Sequence, residues 1–215
     1  MRERPMSAFV AQALREAERR RATAPAATPH ALDGFTVDQL AEAAAAGDTE
    51  AVGRLYDSLV LPIYRYVAVR VHRREDAEDL TQLVFERIVS SLPRYRSRGR
   101  PFEAWAFRIA RNAVIDHVRR DRAHEPLAPA HDTGHDESPD RLTVRGEEIR
   151  ELRSAIRRLT ADQQEALALR FAAGLSAEEA AAVMGKQAGT IRGLTFRAIA
   201  SLRRLLLPEE GQVRR

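Results

Sequence analysis

At 215 residues, with a net charge of +4 and a pI near 10.0, the chain can hold one large domain or two small ones. It has no cysteine, which excludes disulfides, thiolate metal centres and cysteine nucleophiles and is compatible with a reducing compartment. The N-terminus lacks the continuous apolar stretch of a signal peptide, and no window approaches the roughly 20 apolar residues of a membrane span, so a soluble, cytoplasmic protein without membrane insertion is expected.

Charged residues make up 31% of the chain and aromatics only 6%, in Ala/Leu/Arg-rich periodic segments with no strand-like alternation, which predicts an all-α fold. Residues 1–34 combine one amphipathic stretch (Phe9, Val10, Ala13, Leu14, Ala17) with Arg19, Arg20 and Arg21 and then an Ala/Pro/Thr-rich run. They read as a disordered tail. A first helical domain is expected over residues 35–122, with Thr36 and Asp48 as N-caps. Leu55, Leu59, Ile63, Val67 and Val71 repeat at helical spacing over 52–71, where Pro62 should kink the helix or mark its start. Over 75–92, Leu80, Val84 and Ile88 share a face with Leu83 beside them, and Pro93 follows the end. A further helix over 101–120 turns Phe102, Ala106, Ile109, Ala113 and His117 or Val118 inward.

Residues 123–146 form an acidic, Pro-containing linker without apolar periodicity, long enough to favour a flexible connection. A second helical domain is expected over 147–207, followed by a tail at 208–215. Leu152, Ile156 and Leu159 make its first stripe. Thr160 with Gln163 is a capping-box signature, and Leu167, Leu169 and Phe171 lead to Gly174 as a helix C-cap. Ser176 with Glu179 repeats the box, that helix ends at Met184 and Gly185, and a final helix runs over 189–207.

The basic residues are clustered. Nine arginines (94, 96, 98, 100, 108, 111, 119, 120 and 122) face only Glu103, Asp116 and Asp121 in one stretch, and five basic residues with no acid occupy 186–207. Two basic surfaces suit two contacts with a polyanion, although solvated helix faces have the same composition. The segment 175–192 reads as a helix-turn-helix: small alanines allow close crossing, Gly185 permits a tight turn, and residues 190–197 would enter a major groove.

With its Thr-Ala-Asp-Gln-Gln-Glu-Ala-Leu opening and Gly-Leu-Ser turn, this second block resembles region 4 of sigma factors and equally the DNA-binding domain of LuxR-type regulators. The first block separates them. Asp76-Ala77-Glu78-Asp79-Leu80-Thr81-Gln82-Leu83-Val84-Phe85 is similar to the polymerase-binding helix of sigma region 2, and Phe102 to Asn112 looks like the helix that follows it. The chain thus resembles the small, two-domain extracytoplasmic-function (ECF) sigma factors of the sigma-70 family. The resemblance implies a non-enzymatic protein without cofactor, whose partners are core RNA polymerase, promoter DNA and an anti-sigma factor.

It also implies residue roles. Asp76, Asp79, Leu80, Gln82, Leu83 and Glu86 would bind core polymerase. Arg94, Arg96, Arg98, Arg100, Arg108, Arg111, Asn112, Arg119 and Arg120 would approach the opened minus-ten element. Lys186, Thr190, Arg192, Gly193, Phe196 and Arg197 would read the minus-thirty-five element, with Thr190 either capping the helix or touching phosphate. Leu194 and Ile199 stand where basic residues are common in the family, and Gly193 replaces a usual small hydroxyl, so the promoter sequence does not carry over. Trp105 could stack on a base or pack beside Phe102 and Ile109. A LuxR-type regulator explains only the second block. A hydrolase built on a metal at His72, Asp76 and Asp79 has no second ligand cluster or nucleophile to support it.

Overall fold

The periodic segments fold into helices, with no strand among the described residues. The computed structural model describes residues 35–71, 73–97, 99–124 and 144–206, and side chains for 35–71, 73–97, 99–121 and 150–206. The N-terminal tail, the body of the linker and Leu207 onward lie outside the described residues. Packing divides the chain into two units, Met1–Pro129 and Ala130–Arg215.

In the first unit, α1 (Val37–Ala45) and α2 (Thr49–Ala68) start where short oxygen-bearing side chains meet free amides. Thr36 accepts from the Gln39 amide, and the Gln39 side chain accepts from the Thr36 amide; Asp48 accepts from Glu50 and Ala51. The second helix neither starts nor stops at Pro62. It runs through that residue, and the lost donor to the Ser58 carbonyl is outweighed by burial of Leu55, Leu59, Ile63, Tyr66 and Val67 on one continuous face.

Next, α3 (Arg74–Ser91) buries Leu80, Val84 and Ile88 and passes into a 3-10 turn, Leu92–Arg94. The fourth helix, α4 (Phe102–His124), extends two residues beyond the expected domain boundary at 122. Phe102, Ala106 and Ala113 face inward as expected, but Ile109 is only half-buried. Phe107, Ala110 and Val114 fill the core instead, because two stripes of this long helix face neighbours. Phe107 meets the Tyr66 ring edge-on at 5.8 Å.

The start of α4 is tied to α1. Asp38 Oδ1 accepts from the Phe102 amide at 2.7 Å, across 64 residues of sequence, so a side chain in the first turn of α1 satisfies a helix-terminal donor of α4. Asp38→Ala should cost about 1 kcal/mol. In a domain of this size that lowers the melting temperature of the first unit by roughly 4–8 °C, whereas Asp38→Asn, which keeps an acceptor oxygen, should retain most of the stability, as measured by thermal denaturation of the full chain. An unchanged melting temperature would show that the cap contributes nothing.

In the second unit, α5 (Val144–Arg157) begins earlier than the expected position near 147. Of its predicted stripe, Leu159 is buried, Ile156 half-buried and Leu152 exposed. Gln164 Nε2 donates to the carbonyls of Leu159 (2.9 Å) and Arg157 (3.3 Å), closing the end of α5 onto α6 (Ala161–Leu167). Thr160 and Gln163 form the expected capping box. The next turn, Ala168–Ala172, is a π turn, in which the Ala173 amide reaches the Ala168 carbonyl at 3.0 Å. Leu169 takes the core and Phe171 is exposed, since a spacing of two residues does not keep Leu167, Leu169 and Phe171 on one helical face.

Candidate functional site

Three polar surfaces were expected to carry function, and each is built locally before its residues meet. The first lies on α3. No side chain caps its start, but Glu75 and Asp76 sit in the first turn, where negative charge complements the helix dipole. Asp79 and Gln82 are exposed, and Leu83 and Glu86 are half-buried beside them. Gln82 Nε2 donates to Glu86 Oε1 at 3.2 Å, so these two form one polar stripe with Asp79.

Two members of the expected set belong elsewhere. Leu80 is 4% exposed and packs in the core with Val84 and Ile88, so it supports the helix from behind. Asp76 turns toward α4, where His117 Nε2 lies 3.8 Å from Asp76 Oδ2 and 3.0 Å from Asp121 Oδ2. The metal reading on His72, Asp76 and Asp79 is not what the fold assembles. His72 lies outside the described residues and Asp79 faces solvent, while Asp76 is grouped instead with His117 and Asp121, whose side-chain ligand atoms all lie within 4.8 Å of one another.

The second surface is the arginine-rich loop and the exposed stripe of α4. Tyr95 anchors the loop: it is buried, its ring lies 5.1 Å from both Phe102 and Trp105, and burial together with the nearby Asp38 charge raises its phenol pKa. Tyr95 was not singled out in the sequence, although an aromatic inside an arginine run is a usable signal for a pinned loop. Trp105 is half-buried, 5.1 Å from the Phe102 ring, and so packs with the core cluster. Arg96 donates to the Tyr95 carbonyl at 2.7 Å and to the Pro93 carbonyl at 3.3 Å, which makes it a brace for the loop backbone. Arg98 lies outside the described residues.

Arg94, Arg100, Arg108 and Arg119 are exposed and form no ion pair among the described residues. Arg108, Asn112 and Arg119 share one exposed stripe of α4, while Arg111 is half-buried and Arg120 is exposed, its Nε donating to the Asp116 carbonyl at 3.2 Å. Arg94, Arg100, Arg108 and Arg119 thus leave exposed positive charge beside an aromatic cluster, suited to a nucleic-acid backbone.

The third surface is the helix-turn-helix of α7 (Ala177–Met184) and α8 (Ala188–Leu206). Ser176 and Glu179 form the expected capping box, and Gly185 ends α7 in the left-handed conformation, φ 66° and ψ 35°, which a side-chain-bearing residue adopts only with strain. Ala177, Ala180, Ala181 and Val183 of α7 are buried, as are Ile191, Leu194 and Ala198 of α8. Leu194 therefore belongs to the packed face. On the opposite side Arg192 and Arg197 are exposed, and Phe196 is 75% exposed.

Thr190 is not the helix cap. The helix begins two residues earlier, so Thr190 is an exposed residue of its first turn. Lys186 Nζ lies 3.0 Å from Asp162 Oδ2 and ties the turn to α6. Arg192 is paired with Glu178 of α7, a contact the sequence did not suggest.

Comparison with known proteins places both units. A model of sigma-70 region 2 matches residues 55–124, and one of sigma-70 region 4 matches residues 149–202. Among curated proteins, the ECF RNA polymerase sigma factor BldN of Streptomyces coelicolor is 38% identical over 183 residues, covering 84% of this chain and 69% of its own length. The ECF RNA polymerase sigma factor SigD of Mycobacterium tuberculosis is 33% identical over 179 residues, covering 80% of this chain and 84% of its own. Among solved structures, CnrH in complex with the cytosolic domain of CnrY aligns with a TM-score of 0.61 and 28% identity over 78% of this chain and 94% of that one. The sigma factor RpoE in complex with the anti-sigma factor NepR, from Bartonella quintana, aligns at 0.52 and 28% identity over 70% and 94%.

Proposed function

Since the chain belongs to the sigma-70 family of RNA polymerase sigma factors, in its ECF type, we propose that its three polar surfaces divide the work of promoter recognition among them. The protein is a sigma factor, a DNA-binding transcription-initiation subunit that carries a helix-turn-helix and binds core RNA polymerase, and not an enzyme. The LuxR-type reading fails because it leaves the region 2 match over the first unit unexplained.

In this proposal Asp79, Gln82 and Glu86, with Leu83 beside them, engage core polymerase. Arg94, Arg98, Arg100, Arg108, Arg111, Asn112, Arg119 and Arg120 hold the opened strand at the minus-ten element, with Arg96 bracing their loop. Arg192, Phe196 and Arg197 read the minus-thirty-five element from the major groove, and Lys186 and Thr190 approach its backbone. The work is recruitment and strand capture without covalent chemistry. Its site of action is the cytoplasm, and no helix among the described residues is long and apolar enough to cross a membrane.

The observation that carries the reading is the two-sided character of α8. Ile191 and Ala198 are wholly buried, while Phe196 presents three quarters of its surface to water between two exposed arginines. An aromatic left in water is costly unless a partner covers it, and a base edge with a thymine methyl is such a partner. Arg197→Ala should reduce open-promoter transcription by holoenzyme roughly tenfold on a cognate promoter, the effect of about 1.4 kcal/mol of lost base contact. Run-off transcription measures it; unchanged output would remove Arg197 from the reading surface.

An anti-sigma protein is the proposed inhibitor. Each unit is small and carries its own modest core, so a partner that binds both would stabilise a closed form by mass action. The likeness to CnrH in complex with CnrY and to RpoE with NepR supports this partner class.

A further inference from the structure

We propose that Glu178 is a positioning residue for promoter reading, holding Arg192 in the orientation from which it meets the base pairs. The inference rests on the assignment of α8 as the recognition helix and names the residue that tunes it. Glu178 and Glu179 both stand in the first turn of α7, but their carboxylates do different things. The Glu179 carboxylate turns back to the Ser176 amide at 2.6 Å and completes the capping box. Glu178 is not needed for the cap, and its Oε1 instead accepts from Arg192 Nη2, across the turn on α8.

Both side chains of this pair are more than 60% exposed, at 62% for Arg192 and 63% for Glu178. In water such a pair adds little to stability, so its effect is to be sought in orientation. An arginine reads a guanine through a planar fork, and a free arginine loses much rotamer freedom when it does so. With one guanidinium nitrogen held by Glu178, the others remain available at a fixed direction, and part of that ordering is done before DNA arrives.

The carboxylate has a second consequence. It stands beside the DNA-facing surface and opposes phosphate, so an Arg192 held by it is kept from collapsing onto any backbone it meets. Both effects favour discrimination over raw affinity. Arg197 is set by a different device: a Cβ at Gly193 would lie 3.3 Å from Arg197 Nη1, so the missing side chain leaves room for that guanidinium to fold along the helix. Of these two arginines, Arg192 is the one with an ionic partner from the neighbouring helix.

The test is a double-mutant cycle in holoenzyme assembled from the full chain and bacterial core polymerase. Wild type, Glu178→Gln, Arg192→Ala, the double variant and Arg197→Ala each select from promoters randomised in the upstream element, and the selected DNA is sequenced. Glu178→Gln should flatten the preference at the positions that Arg192→Ala also flattens, reduce the preferred-to-mismatched ratio there several-fold, and raise binding to mismatched promoters. In the Arg192→Ala background it should change nothing further. An undiminished preference with Glu178→Gln, or an equal loss in both backgrounds, overturns the proposal. If wild type has no upstream preference, or Arg192→Ala and Arg197→Ala both leave it intact, the assignment of α8 falls as well; if either arginine matters while Glu178→Gln matches wild type, only the positioning role falls.

Discussion

Replacing Asp79 and Gln82 together by alanine should abolish co-migration of the chain with core RNA polymerase on gel filtration, while helix content and melting temperature stay unchanged. Both side chains are exposed on α3, and neither packs in the core, so their removal leaves no cavity and no buried orphan. What they can lose is a partner surface. A hydrogen bond to a charged group contributes about 1.5–3 kcal/mol, so losing two weakens the complex by roughly a hundredfold or more, enough to empty a chromatographic peak at micromolar protein. Asp76 is left out of the variant deliberately. Its carboxylate faces His117 inside the unit, so its removal would mix a stability effect with a binding one. If the double variant binds core polymerase as wild type does, the acidic stripe is a solvated face and the polymerase contact lies elsewhere. If it binds less well and also melts earlier, the two residues support the helix and the assignment loses its warrant.

What the sequence made legible were the features written in short spacing. The N-caps at Thr36 and Asp48, the capping boxes at Thr160 and Ser176 and the turn at Gly185 each depend on residues within three or four positions, and each stands where the spacing put it. The buried face of α3 is equally local, since one helical period decides it. The errors fall where more than one period competes, as at Ile109, or at the edge of a stripe, as at Leu152. Contacts between distant segments were invisible. Asp38 with the Phe102 amide, Asp76 with His117, and Glu178 with Arg192 join helices whose relative placement no periodicity encodes. This matters most for the site. The arginines could be found by counting, but counting did not separate Arg96, folded onto its own loop, from Arg94 and Arg100, which remain outward. Likewise Leu80 and Asp79 are adjacent in sequence and opposite in role, because one points inward and the other outward.

Phe107→Ala should unfold the first unit at a much lower temperature and leave the second unit's transition where it is. Phe107 is 1% exposed in the second turn of α4 and packs its ring against wholly buried Tyr66 of α2. Truncating a buried phenylalanine costs about 3–5 kcal/mol, since the transfer energy is lost and a rigid surround leaves a cavity. Small domains have only about 5–15 kcal/mol in total, so this is a large share of the unit's stability and a shift of at least about 12 °C. The second unit buries a set of its own residues, Leu169, Ile191, Ala180 and Ala198 among them. The chain supplies a clean probe. Its single tryptophan, Trp105, sits in the first unit beside Tyr95 and Phe102, so tryptophan fluorescence follows that unit alone, whereas far-ultraviolet circular dichroism follows both. The fluorescence transition should move down while a later dichroism transition persists. A single transition that moves in both signals would mean the units unfold as one, and a fluorescence midpoint within a few degrees of wild type would mean the Phe107 site collapses without cost. At a temperature between the two transitions, the variant should retain the upstream-reading helix but lose core-polymerase binding, because the stripe carrying Asp79 and Gln82 is displayed only while α3 is packed against α2 and α4.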